Sequence, residues 1–330
     1  MSARLSLHIS TESWPYKRPF RVSRGCDAAL EVVVVSLTDS AGLVGRGEAA
    51  GVDYDGETIP LLAAQLEALR AIIEAGLDRA TLGAHLPPGG ARNALDCALW
   101  DLEAKRAGQR AWQLAGLENA HSLQTCVTLG IDTNEAIIAA ATLYRDWPLL
   151  KVKVDALRHL EVLRLVHAAA PSAWLIIDPN QSWTCELLNE LEPELKALAV
   201  TLVEQPVPRG QDLSLRGYRG KIRLAADESL TDRRSLAALE DIYQVVNIKL
   251  DKSGGLTEAL EIAREARARK LSVMVGCMAG TSLAMAPGMV VGQLAEFIDL
   301  DGPLLHSADR AAGIVYERGA MQLPAAALWG

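Results

Sequence analysis

The chain has 330 residues, 50% of them apolar and 22% charged, with a net charge of −8, which is enough material for one large core plus a smaller domain and excludes a disordered chain. No Lys/Arg block stands out, so the electrostatic footprint of a nucleic-acid or anionic-membrane binder is missing and a small-molecule partner is expected. "MSARLSLHISTESW" has no apolar core of signal-peptide length and "ALEVVVVSL" is too short to span a bilayer, which points to a soluble, cytoplasmic protein; the five cysteines are scattered without a CxxC pair, against a disulfide framework or a thiolate zinc site.

In chain order, residues 4–48 read as strands, with β-branched "EVVVVSL" and the turn residues of "TDSAGLVGRGEA" marking an antiparallel meander. The GxG of "GRGEA" lies inside that meander with no helix after it, which is weak evidence for phosphate binding. Helices are expected over 59–75 and 91–107, the second with apolar residues at three- and four-residue spacing and Gly108 as its stop. Residues 1–120 therefore form an α+β domain. From there short apolar strands alternate with Ala-, Leu- and Glu-rich helices: "QTCVTLG", "LLKVKVD", "AWLIIDPN", "AVTLVEQP", "KIRLAADES", "QVVNIKLD", "LSVMVGCM" and "EFIDLDGP". Polar residues stand near the carboxyl ends of seven of these, Lys153, Asp178, Glu204, Asp227, Lys249, Cys277 and Asp301, at separations of 22 to 28 residues. That is the length of one βα unit, so residues 121–304 read as a (β/α) barrel, whose chemistry belongs at the carboxyl face. Residues 305–330 hold no further unit and are expected to pack back onto the first domain.

Asp178, Glu204 and Asp227 end three successive strands, which in a barrel sets three carboxylates around one pocket. Crowded carboxylates repel, and a divalent cation removes the conflict. Oxygen-only ligands with no His or Cys nearby favour Mg²⁺ or Mn²⁺ over zinc. Helix capping or a surface ion pair explains any one of these acids alone, but poorly explains three in register. Lys153 and Lys249 come from the second and sixth strands, roughly opposite each other across the barrel mouth. Burial and a nearby cation both disfavour an ammonium, and a lysine so lowered is a usable general base. The expected chemistry is removal of a proton α to a carboxylate by one lysine, metal stabilisation of the ene-diolate, and protonation of the opposite face by the other lysine. Lys151 projects to the same side of its strand as Lys153 and supports it, donating to a carboxylate and keeping its neighbour's pKa low. Lys252 reads as a snorkelling lysine at a strand end.

The strings "KVKVD", "IIDPNQSW", "VEQP", "AADES" and "NIKLDKSGG", in this order and spacing, resemble the enolase superfamily and within it the muconate lactonizing enzyme subgroup. The resemblance covers nearly the whole chain, including "ARNALDCALWDLEAKR", and implies an α/β protein built as a (β/α)7β-type TIM barrel with an α+β capping domain. It implies Lys153 and Lys249 as the acid/base pair and Asp178, Glu204 and Asp227 as Mg²⁺ ligands. Superfamily branches that dehydrate acid sugars employ a His at the second or seventh strand end; "MVGCM" stands here, which disfavours that chemistry. "DLDGP" supplies Asp299 and Asp301, a DxD resembling the dipeptide epimerase pattern in which the acids grip a free α-ammonium. Charge logic agrees, since an anionic pair beside a cationic pocket calls for a cationic ligand group. By the same resemblance Arg24 in "FRVSRGCD" meets a substrate side-chain carboxylate through its planar fork, with Arg21 as a competitor. "GVDYDGET" reads as a second lid bringing Asp53, Tyr54 and Asp55 near the mouth, with room for a basic dipeptide residue. Thr128 at the first strand end and Cys277 at the seventh complete the candidate substrate contacts, and His306 reads as structural. The resulting expectation is an isomerase, a dipeptide epimerase with L-Ala-D/L-Glu as leading substrate, at work in murein peptide recycling. Cycloisomerase, o-succinylbenzoate synthase and N-acylamino acid racemase reactions of the same subgroup stay open, as does a Schiff-base aldolase using either lysine covalently. No nucleic-acid or membrane partner is expected, and a homo-oligomer is left open.

Overall fold

The computed structural model describes residues 4–22 and 25–330. The chain opens with β1 (Leu5–Val22), β2 (Gly25–Asp39) and β3 (Val44–Ala49), an antiparallel sheet in that order. Register runs from Leu5 opposite Asp39 to Val22 opposite Gly25, with a slip between Pro15 and Phe20, where a proline cannot donate to the ladder. The four valines of β2 alternate between two cores: Val32 and Val34 join the large core that includes the barrel, Val33 and Val35 the core of the first domain. A strand buried on both faces has no place for the usual polar alternation.

Two helices cover the sheet. The helix expected over 59–75 is broken at Leu69 into α1 (Ile59–Ala68) and a short turn Arg70–Glu74. The second, α2 (Gly90–Ala107), ends on Gly108 in the left-handed conformation, φ 62, whose N–H reaches back to the Ala104 and Lys105 carbonyls. The GxG of "GRGEA" serves this packing. A Cβ on Gly47 would lie 2.1 Å from the Ala94 carbonyl oxygen, and one on Gly45 2.2 Å from that of Ala98. The glycines let α2 approach β3 closely, so Gly47→Ala should destabilise the fold by about 1–3 kcal/mol, read as a lower melting temperature with the turnover of the folded fraction intact.

Eight further strands form one parallel sheet in sequence order: β4 (Val127–Leu129), β5 (Leu149–Lys153), β6 (Trp174–Asp178), β7 (Val200–Glu204), β8 (Arg223–Ala226), β9 (Val245–Lys249), β10 (Ser272–Gly276) and β11 (Phe297–Ile298), while Leu123–Gln124, Tyr316–Glu317 and Ala320–Met321 form a small antiparallel sheet of their own. A parallel bridge from Thr125 to Ile298, with the Cys126 N–H donating to the Ile298 carbonyl at 2.9 Å, closes the ring between first and last strands. Beyond the barrel, Arg46 donates to the Ala327 and Leu328 carbonyls at 2.8 and 2.7 Å, and the Trp329 indole to the Cys97 carbonyl at 3.1 Å, so the last residues lie against β3 and α2. Among the described residues no helix is long and apolar enough to cross a membrane.

The barrel interior is layered. Its apolar floor is Cys126, Leu149, Ile176, Leu202, Ala225, Val245, Met274 and Phe297, one residue from each strand or its immediate flank. Side chains repeat every two residues along a strand, so two residues further on each strand builds the next layer: Thr128, Lys151, Asp178, Glu204, Asp227, Asn247, Gly276 and Asp299. The floor is apolar and the layer above it carries five charged groups.

Candidate active site

Lys151 stands in the charged layer, buried, with its ammonium 2.7 Å from Asp299 Oδ2, 2.8 Å from Glu204 Oε2 and 3.4 Å from Asp178 Oδ2. Two residues on, Lys153 donates to Asp178 Oδ2 at 2.8 Å and Asn180 Oδ1 at 3.1 Å. Across the ring Lys249 donates to Asp227 Oδ2 at 2.7 Å. Lys252 approaches Asp227 Oδ1 at 2.6 Å and also donates to the Asp227 and Asn247 carbonyls. The Asn247 amide donates to Glu204 Oε1 at 2.8 Å. Gly276 is needed beside it, since a Cβ there would come within 2.7 Å of Asn247 Oδ1.

This arrangement departs from the expected side-by-side acids. Among the described residues no group of three or more His, Cys, Asp or Glu is gathered so as to hold a metal ion, because ammonium groups interleave with the Asp178, Glu204 and Asp227 carboxylates. The donor set fits a divalent cation in chemistry and charge. Six carboxylates (these three with Glu228, Asp299 and Asp301) face four lysines, which leaves two negative charges uncompensated. The excess shows at Glu204, whose lysine neighbour Lys151 is shared with Asp178 and Asp299. Its Oε2 makes no hydrogen bond despite the nearby Lys151, and burial, with Asp178 and Asp227 close by, pushes its pKa up to about 7.

At Lys249 and Lys151 the neighbouring carboxylates outweigh burial. Burial acts to lower Lys249, but Asp227 and Glu204 more than offset it and hold the ammonium well above its usual value. Lys151 is raised in the same way by Asp299, Glu204 and Asp178. Lys252, read as a snorkelling lysine, is buried instead, and burial lowers its pKa. Asp178 is brought down to about 2 by Lys153 and Lys151 against the burial that would raise it.

A cavity of about 980 Å³ opens over this layer, lined from the barrel by Thr128, Lys151, Lys153, Asp227, Lys249, Cys277, Asp299 and Asp301, and from the first domain by Tyr16, Asp27, Asp53 and Glu57 among others. Lys153 and Lys249 reach it from strands four places apart in an eight-stranded ring, on opposite sides. Of the DxD pair, Asp299 is occupied: it takes Lys151 Nζ at 2.7 Å and the Cys126 thiol at 3.2 Å, and Lys151 holds its pKa low against burial. Asp301 accepts the Thr128 N–H at 2.5 Å and has no lysine paired with it among the described residues, and burial with Asp299 beside it raises its pKa to about 7. Of the two, Asp301 is the acid that gains most from a cation. The Cys277 thiol is raised by burial and by Asp299, which makes it a wall and not a nucleophile. In the lid "GVDYDGET", Asp53 lines the cavity, Tyr54 is half-buried, and Asp55 pairs with Arg209 at 3.0 Å. His306 is buried against Tyr16, ring centroids 4.9 Å apart, away from the lining. Arg24 lies outside the described residues, as does the side chain of Arg21. Sequence reasoning missed Asn247 and Glu228; the two-residue count up from the apolar floor would have found Asn247.

Residues 135–327 match the family described as Enolase C-terminal domain-like, and residues 4–116 the Mandelate racemase / muconate lactonizing enzyme, N-terminal domain. The chain is 39% identical over 320 residues to the L-Ala-D/L-Glu epimerase of Escherichia coli K12, covering 96% of this chain and 99% of that one. It is 43% identical over 246 residues to the N-acetyl-D-glutamate racemase of a Pseudoalteromonas species, covering 74% and 78%. Among solved structures, an enolase family member from Agrobacterium tumefaciens with homology to dipeptide epimerases, holding sodium and L-Ala-L-Glu, superposes with a TM-score of 0.95 at 40% identity, over 99% of this chain and 100% of that one. The dipeptide epimerase of Methylococcus capsulatus, complexed with Mg and L-Arg-D-Lys, gives a TM-score of 0.90 at 31% identity, over 98% and 97%.

Proposed function

Because the chain belongs to the mandelate racemase/muconate lactonizing enzyme family of the enolase superfamily, we propose that it is a dipeptide epimerase inverting the α-carbon of the carboxyl-terminal residue, with L-Ala-D/L-Glu as its leading substrate. The observation that carries this reading is that Lys153 and Lys249 enter one cavity from opposite sides of a ring, with the carboxylates between them. One lysine takes the α-proton and the other delivers a proton to the opposite face, so configuration inverts without the α-carbon changing place. Asp301 receives the substrate's free ammonium, which relieves the strain of a buried carboxylate lying beside Asp299. Lys151 neutralises Asp299 and leaves that task to Asp301. The first-domain residues on the cavity roof exclude water from the exchanging proton.

Asp178, Glu204 and Asp227 would hold the divalent cation, of which Mg²⁺ is the leading candidate. When bound, it supplies the positive charge that stabilises the substrate carboxylate as the α-proton leaves, and by drawing those acids off the lysines it lowers lysine pKa values toward that of a base. Dipeptides of this kind arise in murein turnover, and we place the reaction there, in the cytoplasm.

The similarity to an N-acetyl-D-glutamate racemase supports a second reading, racemisation of N-acylated glutamate. Such a substrate has no ammonium for Asp301. Proton NMR in D₂O separates the two: with Mg²⁺, L-Ala-L-Glu should lose its glutamate α-proton signal and yield L-Ala-D-Glu, EDTA should stop it, and N-acetyl-L-glutamate should exchange far more slowly. Silence of every dipeptide in a panel of acidic, apolar and basic members would sink the epimerase reading.

A further inference from the structure

Gln205 follows Glu204 directly and is fully buried, yet it does not line the cavity. Its backbone turns into the left-handed region, φ 35, and this carries the side chain sideways to the end of the next strand. There its Oε1 accepts two backbone N–H groups, from Asp227 at 2.9 Å and from Ser229 at 3.2 Å. Its Nε2 donates to the Val207 carbonyl at 3.1 Å, and lies 3.0 Å from Ser229 Oγ, 3.1 Å from the Tyr243 hydroxyl and 3.3 Å from Asp212 Oδ1. Asp212 Oδ1 in turn accepts the Ser229 and Tyr243 hydroxyls, each at 2.6 Å. One amide therefore ties together the strand ends that carry Glu204 and Asp227, and three further side chains clamp that amide in place.

We propose that Gln205, clamped by Ser229, Asp212 and Tyr243, is a positioning residue that sets the separation of Glu204 and Asp227 and through it the affinity of the site for a divalent cation. The inference rests on the metal reading above. A cation bound by carboxylates from neighbouring strands is sensitive to how those strand ends are spaced, and groups that orient ligands without touching the ion govern affinity for this reason. Gln205→Met keeps the length and the burial of the side chain but leaves the Asp227 and Ser229 N–H groups without their acceptor. Buried donors without partners pull a backbone out of position.

The test is isothermal titration of the whole chain with Mg²⁺, alongside thermal melting. Gln205→Met should weaken Mg²⁺ binding by about 10- to 100-fold, and Tyr243→Phe, which frees one corner of the clamp, by about threefold. A role confined to stability would lower the melting temperature of both variants and leave the dissociation constant in place, and that result overturns the proposal. Should Gln205→Met fail to fold, an unchanged constant in Tyr243→Phe overturns it equally. If the unaltered protein binds no Mg²⁺, the metal reading falls first and this inference with it.

Discussion

Replacing Lys249 by Ala should reduce epimerisation by about 10³-fold or more while one epimer of the dipeptide still exchanges its α-proton with solvent. Lys153→Ala should give the mirror result, with exchange confined to the other epimer. The expectation follows from position: the two ammonium groups enter the cavity from strands on opposite sides of the ring, so each can reach one face of the α-carbon. Neither change strips an acid bare. Asp227 keeps Lys252 at 2.6 Å when Lys249 is lost, and Asp178 keeps Lys151 at 3.4 Å when Lys153 is lost, so the fold should survive both. The measurement is α-proton exchange in D₂O, followed for each epimer separately. Undiminished turnover in both variants, or exchange of both epimers by either one, would rule out the two-base scheme.

Asp301→Asn should raise KM for L-Ala-L-Glu by about 100-fold, with a smaller effect on kcat. The asparagine oxygen can still accept the Thr128 N–H that Asp301 now holds, so the turn after the last strand keeps its shape and the change is one of charge. An ammonium held by a buried carboxylate loses its counterion, and the cost falls on binding. N-acetyl-L-glutamate, which has no ammonium, should bind the variant at least as well as the unaltered protein. Steady-state kinetics with both substrates tests this. A dipeptide KM that stays put would mean the ammonium is held elsewhere, and the DxD argument would fail.

The residues that end strands were legible in the chain because chemistry there recurs at the length of a βα unit: Lys153, Asp178, Glu204 and Lys249 each close a strand, and Asp227 follows one directly. Strand extent was less legible at the seam of the barrel, where the eighth strand shrinks to Phe297–Ile298 and Asp299 and Asp301 lie beyond it. Lys252 escaped because linear reading places it past the strand, whereas the short helix Leu250–Ser253 folds it back onto Asp227. The upward shifts of Lys151 and Lys249 were not legible because the carboxylates that cause them, at 2.8 Å or less, come from other strands. Gln205 was passed over inside "VEQP" since nothing local announces a side chain whose partners lie up to 38 residues away.

The alternation of valines along β2 reaches beyond packing. Val32 and Val34 on one face, Val33 and Val35 on the other, place a single strand in two hydrophobic cores, and α2 does likewise through Cys97 and Trp100 on one side and Leu95 and Leu99 on the other. Neither unit owns these elements. Melting the first domain strips apolar cover from the barrel, and melting the barrel strips it from the first domain, so the two form one cooperative unit in unfolding. The elements of the first domain that share the barrel's core are thereby as hard to unfold as the barrel itself.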